Sequence, residues 1–299
     1  MDRWQAMRTL VQVVESGTFS AAARRLNVGQ PSISKTVAQL ESELGVQLLL
    51  RSSRGLAPTE AGMAYYQGAR RALDAFHDAE AGARGAGASL SGRLVAHVPV
   101  TFARLHIMPH LPAFLETHPD LTLDLVLDDR NADLIEGGAD IALRLGHLKD
   151  SAMTARRLAR GPRALLATPA YIARHGAPAH PSELQHHQAV VYDRPGNGNG
   201  NGAGSMFVRG DEHVPVALCG RLLVSAAEGV RAGVLAHMGV AVATEWMFAP
   251  ELASGQVVRL LPDWRLPAVD LWAVYPSGRK ASAKARALAA FVESALAAR

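Results

Sequence analysis

SAAARRLNVGQPSISKTVAQLESELG, residues 20–45, decides the reading of this chain. It divides into a compact Ala-rich helix, a turn at Asn27–Gly29 and a second helix that opens at Pro31. Proline suits a first helical position because its missing N–H would go unpaired there. Ile33, Val37, Leu40 and Leu44 then recur at spacings of four, three and four, one apolar stripe on an amphipathic helix. Ser34, Lys35 and Ala38 point away from it, and Gln30 stands at the entrance. A helix of this kind buries its stripe on its own domain and offers the other face to a major groove. There Gln pairs with adenine, Lys with phosphate or guanine, and Ser with either kind of edge. An ordinary surface helix carries the same spacing, so the stretch alone leaves both readings open.

Working outward, Trp4, Met7, Leu10, Val11 and Val14 fall at helical spacing before Gly17, and Thr18 or Ser20 is positioned to cap the next helix. After Gly45, the text VQLLLRSSRGLAPTEAG reads as a β-hairpin wing. Arg51 and Arg54 lie near its tip, where they suit phosphates or an adjacent minor groove. A helix is expected from Ala61 to about Gly85, with Thr59 as its cap. Its apolar line of Met63, Tyr66, Leu73 and Phe76 calls for a partner, and an antiparallel copy from a second subunit is the expected one. GAGASLSG, residues 85–92, reads as a hinge.

The 299 residues are 48% hydrophobic with a net charge of +4, which suits a large folded core. Residues 1–60 hold seven Lys/Arg against five Asp/Glu, so any basic patch must come from folding. A single cysteine, Cys219, permits no intrachain disulfide and fits a reducing, cytoplasmic setting. The N-terminus lacks an apolar signal core, and no run is long enough to span a membrane.

From Arg93 onward, strand and helix patterns alternate. Strands are expected at 94–98, 121–127, 141–145, 164–167, 189–192, 222–224, 240–243 and 269–274. Helices are expected at 104–117, 226–237, 246–254 and 281–298. This predicts an α/β unit with mainly parallel sheet, long enough for two lobes. Three strand-to-helix junctions bring Thr101, Ser225 and Thr244 to places where helix N-termini receive small, anionic ligands. Plain capping explains each equally well, and Ser225 with Glu228 spells a capping box. Arg144, on the strand IALRLG, is placed to face such a cleft. GNGNGNGAG, residues 196–204, is a surface loop without the dinucleotide glycine spacing. His106 with His110, and the adjacent His186 and His187, lack companion ligands, so no metal or other cofactor is expected. No nucleophile motif marks an enzyme.

With these pieces placed, the chain resembles the LysR-type bacterial transcriptional regulators. The resemblance is densest in SGTFSAAARRL, the QPSIS start of the second helix, LESELG and LAPTEAG. It continues through HPDLTLDLVL, DLIEGGADIALRLG, ATPAYIARHG and GVAVATEW. It implies an α/β chain with an N-terminal winged helix-turn-helix (1–60), a dimerising linker helix and hinge (61–90) and a two-lobed effector domain like a periplasmic binding protein (91–299). By motif match, Ser20, Gln30, Pro31, Ser32, Ser34 and Lys35 are DNA-binding positions, with Arg51 and Arg54 in the wing. Lys35 stands where the family more often has Arg, without that residue's bidentate fork. Thr101, Phe102, Arg144, Ser225 and Thr244 fall near the family's effector cleft, and Thr244-Glu245 replaces a frequent Leu-Pro. The implied partners are double-stranded DNA with dyad symmetry, a small-molecule effector and further copies of the chain. Those copies form a homodimer through 61–85 and a homotetramer through the effector domains, with no membrane role. The competing expectation, a small-solute binding protein without a DNA role, calls for a secretory signal.

Overall fold

The first helix, α1 (Arg3–Ser16), starts where the Asp2 carboxylate accepts the Trp4 and Gln5 N–H groups at 3.0 and 3.2 Å, and it stops at Gly17 with φ 68°. In this computed structural model, residues 2–52, 55–84, 90–129, 138–148, 153–192, 204–276, 278 and 281–297 are described. Two compact units are resolved, Met1–Ser89 and Leu90–Arg299.

In the first unit, α2 (Phe19–Leu26) is capped by Thr18, whose Oγ1 accepts the Ala21 N–H at 3.1 Å. Ser20 therefore lies inside the helix and leaves capping to Thr18. Asn27, in the left-handed region at φ 53°, makes the turn into α3 (Gln30–Leu44). Ile33, Val37 and Leu40 bury against Ala6, Leu10 and Val13 of α1 and Ala22 of α2. Each is worth roughly 1.5–3 kcal/mol of transfer from water. The expected stripe ends a turn early, because Leu44 is exposed at the tip of the helix.

The wing strands β1 (Leu49–Ser52) and β2 (Gly55–Pro58) pair antiparallel. Glu41 ties α3 to them, its Oε1 accepting the Leu48 and Leu49 N–H groups at 2.7 and 3.0 Å. Thr59 caps α4 (Glu60–Arg84) by accepting the Gly62 N–H at 2.9 Å. Gly62 is required there: a Cβ would sit 1.9 Å from the Leu48 carbonyl oxygen. The apolar line on α4 departs from expectation. Tyr66 and Leu73 are buried against Trp4, Met7 and Val11 of α1, and the rings of Trp4 and Phe76 lie 4.4 Å apart. The apolar face of α1 made by Trp4, Met7 and Val11 needs a cover, and α4 supplies it within the same chain.

The second unit forms two lobes. In the first, β3 (Gly92–Val98) is flanked in parallel by β4 (Leu121–Leu127) and β5 (Ile141–Leu145). The expected continuous helix 104–117 is replaced by α5 (Val100–Phe102), a π-helical turn at Ala103–Ile107, a 3₁₀ turn at Met108–His110 and α6 (Leu111–Thr117). Pro109 and Pro112 lack the N–H groups that a straight helix would use there. Next, β6 (Thr154–Gly161) closes the sheet edge, and one residue later β7 (Arg163–Ala167) starts the second lobe.

That lobe adds α7 (Pro169–His175), a 3₁₀ turn at Pro181–His186, β8 (Val190–Tyr192) and a hairpin of β9 (Ser205–Arg209) and β10 (Glu212–Val216). It continues with β11 (Leu222–Val224), α8 (Ala227–Leu235) and β12 (Ala241–Thr244). Last come a 3₁₀ turn at Glu245–Phe248, α9 (Ala249–Ser254) and β13 (Val258–Leu260). Pro250 splits the helix expected at 246–254. The chain then returns to the first lobe through β14 (Val269–Tyr275) and α10 (Ala283–Ala297).

The first-lobe sheet has the order β4-β3-β5-β14-β6. In the second lobe, β12-β7-β13 is joined to β8 and β11 through the parallel Ala189–Val240 bridge. Each sheet thus carries one antiparallel strand, β14 in one and β7 in the other. The expectation of mainly parallel sheet fails at those two strands, because each follows a crossing between the lobes and enters its sheet from the opposite end. Among the described residues, no helix is long and apolar enough to cross a membrane.

Candidate functional site

On α3, burial of Ile33, Val37 and Leu40 leaves Gln30, Pro31, Ser32 and Lys35 exposed and Ser34 half-buried. The expected reading positions therefore share the uncovered side. Ser20 joins them: its hydroxyl donates to Gln30 Oε1 at 3.0 Å and fixes the amide at the start of the helix. Arg51 lies on β1 opposite Leu56. Arg54 lies outside the described residues, as do residues 85–89 of the expected hinge and 196–203 of the Gly/Asn loop.

A cavity of ≈ 190 Å³ opens where the two lobes of the second unit meet. The first lobe contributes Pro99, Asp129 and Arg144 to its wall, and the second contributes Arg163, Tyr192 and Thr244. Val230, Val242 and Met247 supply apolar surface. Arg144 is on β5 and pairs with Trp272 of β14. Arg163 opens β7 and pairs with Thr244 at the end of β12, so those two side-chain positions adjoin. Thr244 also caps the following turn, its Oγ1 accepting the Met247 N–H at 3.3 Å.

The structure thus brings Arg144 and Thr244 together at the cavity and leaves the other expected effector residues away from its wall. Thr101 and Phe102 are buried, Phe102 in the first-lobe core beside Trp246 at 5.7 Å between rings. Ser225 is exposed, and the expected capping box does not form. The N-cap of α8 is Ala226 without a side-chain bond, because Glu228 is drawn to Arg104 of the first lobe, accepting from its Nη2 at 2.9 Å.

Asp129 holds the place expected for a ligand at the helix starts. Its Oδ1 accepts the Val100 N–H at 3.0 Å and its Oδ2 the Ala227 N–H at 3.3 Å, one from each lobe. Two further contacts join the lobes: His106 Nε2 lies 2.8 Å from the Trp246 carbonyl, and the Trp246 ring covers Gly161. Burial pushes the Arg163 guanidinium below its ordinary pKa. His97 on β3 is also lowered, first by burial and then by the charge of Arg144, against the pull of Asp128 and Asp124. Sequence reading missed Asp129, Arg163 and Tyr192. The one available signal was Arg163, a cation set at the mouth of the apolar strand ALLA.

A winged helix-turn-helix and a two-lobed α/β unit with a cavity at the lobe junction define a class of ligand-responsive DNA-binding proteins. Residues 4–63 match the family described as bacterial regulatory helix-turn-helix protein, lysR family, and residues 87–297 match the LysR substrate binding domain. The chain belongs to the LysR family of bacterial transcriptional regulators, which bind DNA through the first region and an effector through the second. It is 34% identical to an HTH-type transcriptional regulator of Xanthomonas campestris over 96% of this chain and 83% of that one. It is 33% identical to the HTH-type transcriptional regulator PtxR of Pseudomonas aeruginosa over 95% and 89%. Among solved structures, CrgA, a LysR-type transcriptional regulator from Neisseria meningitidis, matches with a TM-score of 0.62 at 30% identity, covering 97% of this chain and 98% of that one.

Proposed function

We propose that the chain regulates transcription in the cytoplasm by binding a dyad-symmetric operator. In this reading, Gln30 and Lys35 read the major groove, Ser20, Pro31, Ser32 and Ser34 let α3 approach closely, and Arg51 and Arg54 hold flanking phosphates. The chain acts by binding and not by catalysis. Residues 1–60 form the reading head, 61–90 the linker, and 91–299 the effector domain. Two copies pair through 61–85 on the side of α4 that α1 does not cover, and dimers join through their effector domains. An effector enters the lobe-junction cavity beside Arg144 and Thr244 and shifts the lobes toward the arrangement it binds better. The observation that carries this reading is the polar, uncovered side of α3 beside its fully buried opposite side.

The test is gel-shift titration of the full chain on the promoter region adjoining its own gene. Gln30→Ala and Lys35→Ala are each expected to weaken specific binding about tenfold or more, as each base or phosphate contact is worth roughly 1–3 kcal/mol. Affinity should also fall steeply with salt. Parent-like binding by both variants would sink the assigned face.

A further inference from the structure

We propose that the lobe-junction cavity takes a small monocarboxylate with an apolar body, its anionic group received by Arg163 with Arg144 adding charge from the opposite lobe. This rests on the reading of the cavity as the effector site and names the chemistry of its ligand. The helix starts at the junction, where an anion would ordinarily be sought, are already served by Asp129. The other described carboxylates near the junction are also committed. Glu245 takes Arg259 through two bonds of 2.7 and 2.6 Å, Glu251 takes Arg231, and Asp270 faces Arg157 and Arg160.

Arg163 is left over. Among the described residues its guanidinium makes no hydrogen bond and no ion pair, although it stands in the wall of a cavity that takes apolar surface from Val230, Val242 and Met247. Burial alone accounts for its lowered pKa, with no neighbouring charge to lift it, and an arginine still stays protonated at neutral pH. A desolvated, unpaired cation is costly to hold. It returns that cost when a carboxylate engages its planar fork. The volume of ≈ 190 Å³ lies below the range of about 300–1,000 Å³ typical for drug-sized ligands, so one ring or a short branched chain fits. Val230, Val242 and Met247 would meet its apolar body.

The experiment follows thermal unfolding of the full chain at fixed ionic strength, with chloride as the balancing anion. Acetate, isovalerate and benzoate are compared with acetamide, isovaleramide and benzamide. At least one carboxylate is expected to raise the parent's melting temperature by about 2–4 °C at several times its dissociation constant, and its amide to leave it unchanged. Arg163→Met should melt above the parent without carboxylate and lose the response. Arg163→Lys, which keeps the charge, should retain part of it. An equal rise with an amide, a response that survives in Arg163→Met, or no response to any carboxylate overturns the proposal. If Arg163→Met fails to fold, an undiminished response in Arg163→Lys overturns it as well, because a lysine lacks the planar fork. Stabilisation by an amide would leave the cavity as an effector site while removing the anion. Failure of the parent chain to bind DNA in the gel shift would remove the reading head and leave the melting result standing.

Discussion

The two lobes of the second unit are built alike and used differently. Each is a sheet of three parallel strands, an antiparallel fourth that returns from the other lobe and a fifth at the far edge: β4-β3-β5-β14-β6 against β11-β8-β12-β7-β13. In the first lobe, a large cluster on one sheet face, where Leu94, Val98, Ile107 and Phe114 meet Leu288 and Val292 of α10, outweighs a small one of Ala139, Ala142 and Val274 on the other. In the second, the two faces carry clusters of comparable size: Leu165 and Ala167 look into one, and Leu166 into another with Val230, Val234 and Phe248. The second lobe also encloses charge. Arg231 and Glu251 form a buried bidentate pair there, and Arg163 sits half-buried with no ion pair among the described residues. Strand order fixes where the crossings and the cavity fall, and both lobes contribute side chains to its wall.

The sharpest way to break the comparison is at the buried pair. Glu251→Ala leaves Arg231, 6% exposed, with only the Met247 carbonyl and the Glu228 carboxylate at 3.7 Å. A loss of about 3 kcal/mol is expected in denaturant unfolding of the second unit, since a poorly compensated buried charge is the costly outcome. The same pair predicts a pH dependence. Burial tends to raise the Glu251 pKa, but hydrogen bonds and charge from Arg231 outweigh it and hold the group below its ordinary value of 4.5. A depressed carboxylate stabilises fully above its unfolded-state pKa and loses that contribution as pH falls through the folded one. Stability should therefore decline below about pH 4.5, and Glu251→Gln should flatten that decline. A parent curve with no acid limb would contradict the pairing.

The next largest effect is expected where the lobes are closest. A Cβ on Gly161 would stand 2.8 Å from atoms of the Trp246 ring, so Gly161→Ala should cost about 1–3 kcal/mol by overpacking. Its melting temperature should fall, and a second change of Trp246 to Leu should recover part of the loss. Parent-like melting would mean that the ring shifts freely and does not lock the crossing at Pro162.

The reading head was far more legible in the sequence than the cavity, for a physical reason. Its information is local: Gly17, Thr18, Asn27 and Gly45 each set the helix end beside them, and the stripe of Ile33, Val37 and Leu40 has a single period. The cavity is assembled from strand ends that are adjacent only after two lobe crossings, so Asp129, Arg163 and Tyr192 carry no shared pattern. The edge strand Thr154–Gly161 was not expected because Arg156, Arg157 and Arg160 face solvent and Leu158 is the one large side chain turned into the core. The β9–β10 hairpin was not expected although Gly210, at φ 58°, opens its two-residue turn, because Pro215 and the exposed Glu212 and His213 leave β10 without a clear apolar alternation. Ser225 and Glu228 fit the capping-box spelling, yet tertiary pairing with Arg104 claimed the glutamate.

Asp129 tests whether the lobes are joined by a specific bridge or by packing alone. Asp129→Ala removes one acceptor from each of two backbone N–H groups, and a loss of about 1–2 kcal/mol is expected once partial solvation is allowed for. Hydrogen exchange at Val100 and Ala227 should accelerate while the cores of both lobes stay protected. Uniform acceleration across both sheets would instead make the residue part of global stability.

The smallest effect should come from the outermost bridge. Arg104 and Glu228 also join the lobes, with a distance of 2.9 Å, but their side chains are 50% and 39% exposed. An ion pair so open to water and salt contributes about 0.2–1 kcal/mol at most. Arg104→Ala should therefore shift unfolding by less than Asp129→Ala, and the shift should disappear in about 1 M salt, where screening acts within about 3 Å. The asymmetry matters because the two bridges meet the same helix, α8, only a residue or so apart at its start. If Arg104→Ala cost as much as Asp129→Ala, and kept its cost in high salt, the junction would be held by the rim and not by the carboxylate at its centre. Ligand entry would then depend on opening that rim, and Arg104→Ala would speed the association of a carboxylate without changing which carboxylate binds.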